Sequence, residues 1–138
     1  MRTSIDTNVI SAIWTREPRS RELSALLYRA NNEGGLVICA PVFAELKAHP
    51  NSARDLLEEF VAKSNITIDF DIGEKIWRMA AEKFSAYAER RRQSGGTSPR
   101  RLLVDFLIGA HALIQADRLA TLDQSHYVQA FPELRILS

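Results

Sequence analysis

The sequence predicts an α/β fold built on parallel strands, and three observations carry that expectation. Short runs of strand character recur along the chain, each leads into a segment with apolar residues every three or four positions, and acidic residues fall at those junctions.

In chain order, Met1, Thr3 and Ile5 alternate with Arg2 and Ser4 as in a short strand, and Val9, Ile10, Ile13 and Trp14 then recur at helical spacing. Asp6 stands at that junction. In open α/β sheets such positions bind ligands, because the connecting loops diverge there and helix N-termini point into the crevice. A plain helix cap at Asp6 or Thr7 is the alternative. Pro18 breaks the pattern, and Leu23, Leu26, Leu27 and Ala30 make a second helical stripe that stops at a turn, Asn31-Asn32-Glu33-Gly34-Gly35.

Leu36 to Ala40 is short, continuously apolar and preceded by glycines, as suits a strand buried on both faces. Pro41 opens the next helix, with Glu45 about one turn in. Glu45 is thus a second acid following the carboxyl end of a strand, unless it is merely solvated. Pro50-Asn51-Ser52 ends one helix and caps another, whose Leu56, Leu57, Phe60 and Val61 face inward.

Ile66-Thr67-Ile68 is a further short strand. From Asp71 to Arg92, Ile72, Ile76, Met79, Ala80, Phe84, Tyr87 and Ala88 mark a long amphipathic helix, with Trp77 off the stripe and able to reach a partner surface. Arg90-Arg91-Arg92 closes that helix, and a turn-rich loop leads on to Arg100-Arg101. These cations complement the helix dipole, or else they guide phosphate, for which the guanidinium fork is suited.

Leu103, Phe106, Leu107, Ala110, Leu113 and Ile114 make another core helix. Asp105 lies in its first turn on the side of Gly109 and Ala112, small residues that leave room for another backbone or a ligand; a dipole-favoured position is the alternative. Arg118-Leu119-Ala120-Thr121 reads as a strand, followed by Asp123, with Ser125 placed to cap a short helix. Residues 134–137 form a last strand.

The 138 residues fit one domain, 1–138, and 46% hydrophobic content is enough for a core. The net charge is only +1, yet 14 of the 18 basic residues are arginine, so affinity for nucleic acid must come from local patches. Cys39, the single cysteine, lies in an apolar run and reads as a core residue, with no partner for a disulfide or thiolate zinc site. No apolar leader or membrane-spanning run is present, so the expectation is a soluble, cytoplasmic protein with no membrane association.

In a parallel sheet, Asp6, Glu45, Asp105 and Asp123 converge on one edge. Packed carboxylates raise one another's pKa unless a cation sits among them, and hard divalent ions take oxygen ligands, which points to magnesium or manganese. Such an ion can activate water for in-line attack on a phosphodiester. The chain has no Gly-x-x-x-x-Gly-Lys-Ser/Thr loop, no Gly-x-Ser-x-Gly elbow and no Cys-x-x-Cys. His49, His111 and His126 form no i, i+4 pair and read as structural or surface residues, with His126 set apart because it follows Asp123.

Four stretches, Ile5-Asp6-Thr7-Asn8-Val9-Ile10, Glu45-Leu46, Asp105-Phe106-Leu107-Ile108-Gly109-Ala110-His111-Ala112 and Leu119-Ala120-Thr121-Leu122-Asp123, resemble in order and spacing the motifs of PIN-domain ribonucleases, especially VapC-type toxins. The resemblance covers nearly the whole chain. It implies a three-layer α/β/α sandwich with a mainly parallel central sheet, a magnesium-dependent endoribonuclease acting on RNA, a homodimer, and inhibition by a cognate antitoxin. By motif, Asp6, Glu45, Asp105 and Asp123 are the catalytic and metal-binding acids, with Asn8 and Thr121 as supporting polar residues. Arg90, Arg91, Arg92, Arg100 and Arg101 are candidate RNA-binding residues outside any family motif. One departure stands out: the family's glutamate is often preceded by a serine or threonine, whereas Ala40-Pro41-Val42-Phe43-Ala44 offers no hydroxyl.

Two other classes fit less well. A non-catalytic module binding nucleic acid or protein has no physical need for mutually repelling carboxylates. A phospho-acceptor domain would want adjacent acids after the first strand, where only Asp6 stands.

Overall fold

The computed structural model describes residues 1–50, 56–96, 101 and 103–137. Thr3–Ile5 (β1), Leu36–Cys39 (β2), Ile66–Asp69 (β3), Arg118–Ala120 (β4) and Ile136–Leu137 (β5) form one sheet in the order β3-β2-β1-β4-β5, with every neighbouring pair parallel. Among the described residues seven helices accompany it: Thr7–Trp14 (α1), Ser20–Gly34 (α2), Ala40–Lys47 (α3), Leu56–Lys63 (α4), Glu74–Gln93 (α5), Leu103–Gln115 (α6) and Gln124–Ala130 (α7). This is the expected α/β/α arrangement.

The strand order places the site. The chain winds outward from β1 through β2 to β3, then returns to β4 on the other side of β1, so the topological switch lies between β1 and β4. Loops leaving two such strands turn apart, opening a crevice at their carboxyl ends. Register pairs Ser4 with Leu119 and Ile5 with Ala120, which brings the residues after Ile5 and after Ala120 side by side.

All three residues of β1 and all four of β2 are buried, as parallel strands covered on both faces must be. The alternation expected over residues 1–5 therefore fails at Ser4, which is fully buried. Helix α2 runs through Asn31–Gly34, so the expected five-residue turn shrinks to Gly35, whose φ of 99° suits glycine and whose N–H donates to the Asn31 carbonyl. The long helix starts only at Glu74, leaving Ile72 outside it, and the last strand spans Ile136–Leu137 alone.

Helix α6 departs most from its expected stripe. Every residue from Phe106 to Ala112 is buried, including fully buried His111, while Leu103 is exposed. It packs against α5, α3 and β4, so it is core on nearly all sides. The room beside Gly109 is filled by a side chain: a Cβ there would lie 2.3 Å from the Phe131 ring. Ser125 lies within α7, and Asp123 holds the N-cap position without a side-chain cap bond. The expected cap at Asn51-Ser52, the Leu56 side chain, and Arg100 lie outside the described residues.

Candidate active site

A cleft of about 430 Å³ opens at the carboxyl ends of β1 and β4, and Asp6, Glu45, Asp105 and Asp123 all line it, with Asn8 and Arg101 beside them. Four segments far apart in sequence supply these acids because β1, α3, α6 and the β4–α7 junction meet there.

Asp6 continues the β1 ladder, its N–H donating to the Ala120 carbonyl at 2.9 Å. Its carboxylate is nearly buried and accepts a hydrogen bond from the Thr121 hydroxyl at 2.8 Å. Burial pushes its pKa up to about 6; the Thr121 bond opposes this, and the charges of Asp105 and Glu45 add to it. Asp105, in the first turn of α6, is also raised, by burial foremost and then by Glu45 and Asp123, while Arg101 pulls the other way.

Glu45 accepts a hydrogen bond from the Thr7 hydroxyl at 2.5 Å. The hydroxyl missing from residues 40–44 thus arrives from the first residue of α1. Asp123 is held by both guanidinium nitrogens of Arg101, Nη1 on Oδ2 and Nη2 on Oδ1 at 3.3 Å. Thr121 bridges the two strand ends, because its hydroxyl also accepts the Asp123 N–H at 3.0 Å. Asn8 ties α1 to the same loop, its Oδ1 accepting the Leu122 N–H at 3.1 Å.

Beneath the acids lies Tyr127, fully buried, with its hydroxyl beside the Asp6 carboxylate. Burial and then the negative charges of Asp6, Asp105 and Asp123 drive its ionisation far up, so it remains a neutral phenol. His126 is pushed down by burial first and by Arg101 next, against Asp123, and it stacks edge-on to Phe106.

Several of these features escape sequence reading. Ser11 and Glu17 line the cleft, Ser11 one helical turn after Thr7 and hence legible by spacing. Glu17 has no such signal, since it reaches the cleft only because the chain folds back after α1, its N–H donating to the Ala12 carbonyl. Of the arginines, Arg101 alone among those described lines the cleft. Arg90 lies over the Tyr87 ring, and Arg92 pairs with Glu89 on the helix surface.

The acids are hard oxygen donors of the kind magnesium and manganese prefer, and Asp6 among them is nearly buried with Asp105 and Glu45 as charged neighbours. Among the described residues no three acidic, histidine or cysteine side chains yet converge on a single ion position. Oxygens of Asp6, Glu45 and Asp123 are taken up by Thr121, Thr7 and Arg101. The donors therefore fit a divalent ion by type and cleft, and ligation requires some of them to leave these internal partners.

The sequence pattern of the PIN domain matches residues 4–132. The fold is similar to that of VapBC2 from Rickettsia felis bound to a DNA fragment from its promoter, at 20% identity, TM-score 0.65, and 99% and 98% coverage of this and that chain. It is also similar to VapBC-1 from nontypeable Haemophilus influenzae, at 19% identity and TM-score 0.66 with 100% and 98% coverage. A third likeness is to FitAcB from Neisseria gonorrhoeae, at 21% identity and TM-score 0.66 with 99% and 96% coverage. No curated protein matches the sequence.

Proposed function

The chain belongs to the PIN-domain family, and from that premise we propose that it is a divalent-metal-dependent endoribonuclease, the toxin member of a toxin–antitoxin pair. The observation that carries the proposal is the convergence of Asp6, Glu45, Asp105 and Asp123 on one cleft at the switch between β1 and β4. Scattered surface acids have no reason to meet at the one sheet edge where α/β folds bind ligands.

Asp6, Glu45, Asp105 and Asp123 would hold magnesium or manganese. When bound, such an ion would activate water and neutralise charge as a phosphodiester is cut in line. The chain's own residues supply the frame. Thr121 orients Asp6, Thr7 orients Glu45, and Asn8 fixes the loop that carries Asp123. Such outer contacts hold ligand carboxylates in productive geometry.

The same reading makes the whole chain one nuclease domain acting in the cytoplasm on cellular RNA, as a homodimer restrained by an antitoxin. It is supported by the likeness to VapBC and FitAB structures. Among the described residues no helix is long and apolar enough to cross a membrane.

The experiment is cleavage of a labelled mixed-sequence single-stranded RNA with manganese or with EDTA, by wild type and Asp105→Asn. The expected result is cutting by wild type with metal alone. RNA bound but uncut by metal-loaded wild type would replace this reading with a non-catalytic interaction module.

A further inference from the structure

We propose that Arg101 is a phosphate-gripping residue of the cleft that, in the free protein, is latched on Asp123 and so competes with metal for that carboxylate. The inference rests on the nuclease reading and gives one side chain two alternating partners.

Its basis is geometric. Among the described residues Arg101 is the cation lining a cleft otherwise charged by acids, and its guanidinium holds both oxygens of Asp123. Its backbone N–H donates to the Tyr87 hydroxyl at 3.1 Å, so the residue is pinned to α5 while its side chain reaches across to the β4–α7 junction. The pair is only partly buried, with side-chain exposures of 36% and 28%, so the guanidinium can leave without crossing a packed core. A guanidinium fork fits a phosphate as well as a carboxylate, since both present two oxygens at matching separation.

Two consequences follow, with opposite signs. While Arg101 stays on Asp123, that acid is neutralised and cannot approach a metal, in keeping with the absence of any three converged ligands among the described residues. When a phosphodiester enters, the fork exchanges carboxylate for phosphate. Asp123 is then freed at the moment the substrate is gripped, which couples RNA binding to completion of the ligand set.

The test measures manganese binding without RNA, and binding of a fluorescein-labelled mixed-sequence single-stranded RNA in EDTA, for wild type, Arg101→Gln and Arg101→Lys. Thermal melting of each variant reports its folding. Arg101→Gln is expected to bind manganese about threefold or more tighter, since an exposed ion pair no longer competes. It is expected to bind RNA roughly tenfold more weakly, with the salt slope reduced by about one. Arg101→Lys, which keeps the charge but not the fork, should fall between for RNA. Unchanged manganese affinity in Arg101→Gln beside normal wild-type binding would overturn the latch alone. Tighter binding of both manganese and RNA would overturn the phosphate grip, leaving Arg101 a mere plug. Manganese binding by neither protein would overturn the nuclease reading and the latch with it.

Discussion

Asp69 and Asp6 occupy equivalent positions, each at the carboxyl end of a parallel strand, yet their surroundings are opposite. Asp69 closes β3 and meets the buried ring of His111, Nε2 to Oδ2 at 2.8 Å, with the Asp71 N–H on its other oxygen at 3.0 Å. Burial alone would raise its pKa, but these hydrogen bonds and the charge of His111 reverse that and leave it lowered. Asp6 has the Thr121 hydroxyl and the Thr7 backbone N–H as partners, but burial and the charges of Asp105 and Glu45 outweigh them, and it is raised to about 6. At one strand end the chain's own hydrogen bonds outweigh burial, while at the other burial and neighbouring acids outweigh the hydrogen bonds. The difference separates an acid stabilised as a carboxylate by its own chain from one that is not, and on the proposed function only the second is a metal ligand.

The largest effect is expected when charge is exchanged for an isosteric amide at the raised end. Asp6→Asn and Asp105→Asn are expected to cut RNA at least about a hundredfold more slowly in manganese, because each loses a ligand charge without losing shape. Initial rates on labelled RNA measure this. Wild-type rates in both variants would erase the distinction between the two strand ends.

At the lowered end the expected loss is in stability. His111→Ala empties a fully buried site and strips Asp69 of its partner, at an expected cost of about 2–4 kcal/mol by urea denaturation. Cleavage per folded molecule should change little.

The pH dependences have opposite signs. The Asp6 carboxyl is raised in the folded state, so its contribution is fully present below pH 3.8 and is lost as pH rises through about 6. Asp6→Asn should therefore be more stable than wild type at pH 7 without metal, by up to about 3 kcal/mol, and equal to it near pH 3.5. Asp69 is lowered, so its contribution is present above its unfolded value of 3.8 and is lost as pH falls through its folded pKa. Asp69→Asn should lose stability at pH 7 and converge with wild type in acid. Denaturation series at the two pH values read both.

The smallest expected effect is at the second contact of Glu45. Thr7→Val removes the hydroxyl at 2.5 Å and should weaken manganese binding about tenfold while changing stability by about 1 kcal/mol.

Much of the raised end was legible in the sequence, because each of its acids follows a strand or opens a helix and so carries its position in local pattern. The parallel sheet was legible for the same reason, in the continuous apolar run at β2 and in the helical spacing after each strand. What local pattern cannot carry is partner choice. Nothing in Leu36–Lys47 announces that the hydroxyl for Glu45 comes from Thr7, and nothing near residue 69 marks that acid as the partner of a histidine 42 positions on. Gly109 misled for a related reason: a small residue signals that something approaches closely, and only the fold reveals that it is Phe131.

The most direct measurement is the melting temperature of wild type and Asp6→Asn at pH 7, each with and without manganese. Asp6→Asn is expected to melt higher than wild type without metal, and manganese to raise wild type but not the variant. Equal shifts in both proteins, or none in either, would contradict the claim that the cleft between β1 and β4 is a cation site.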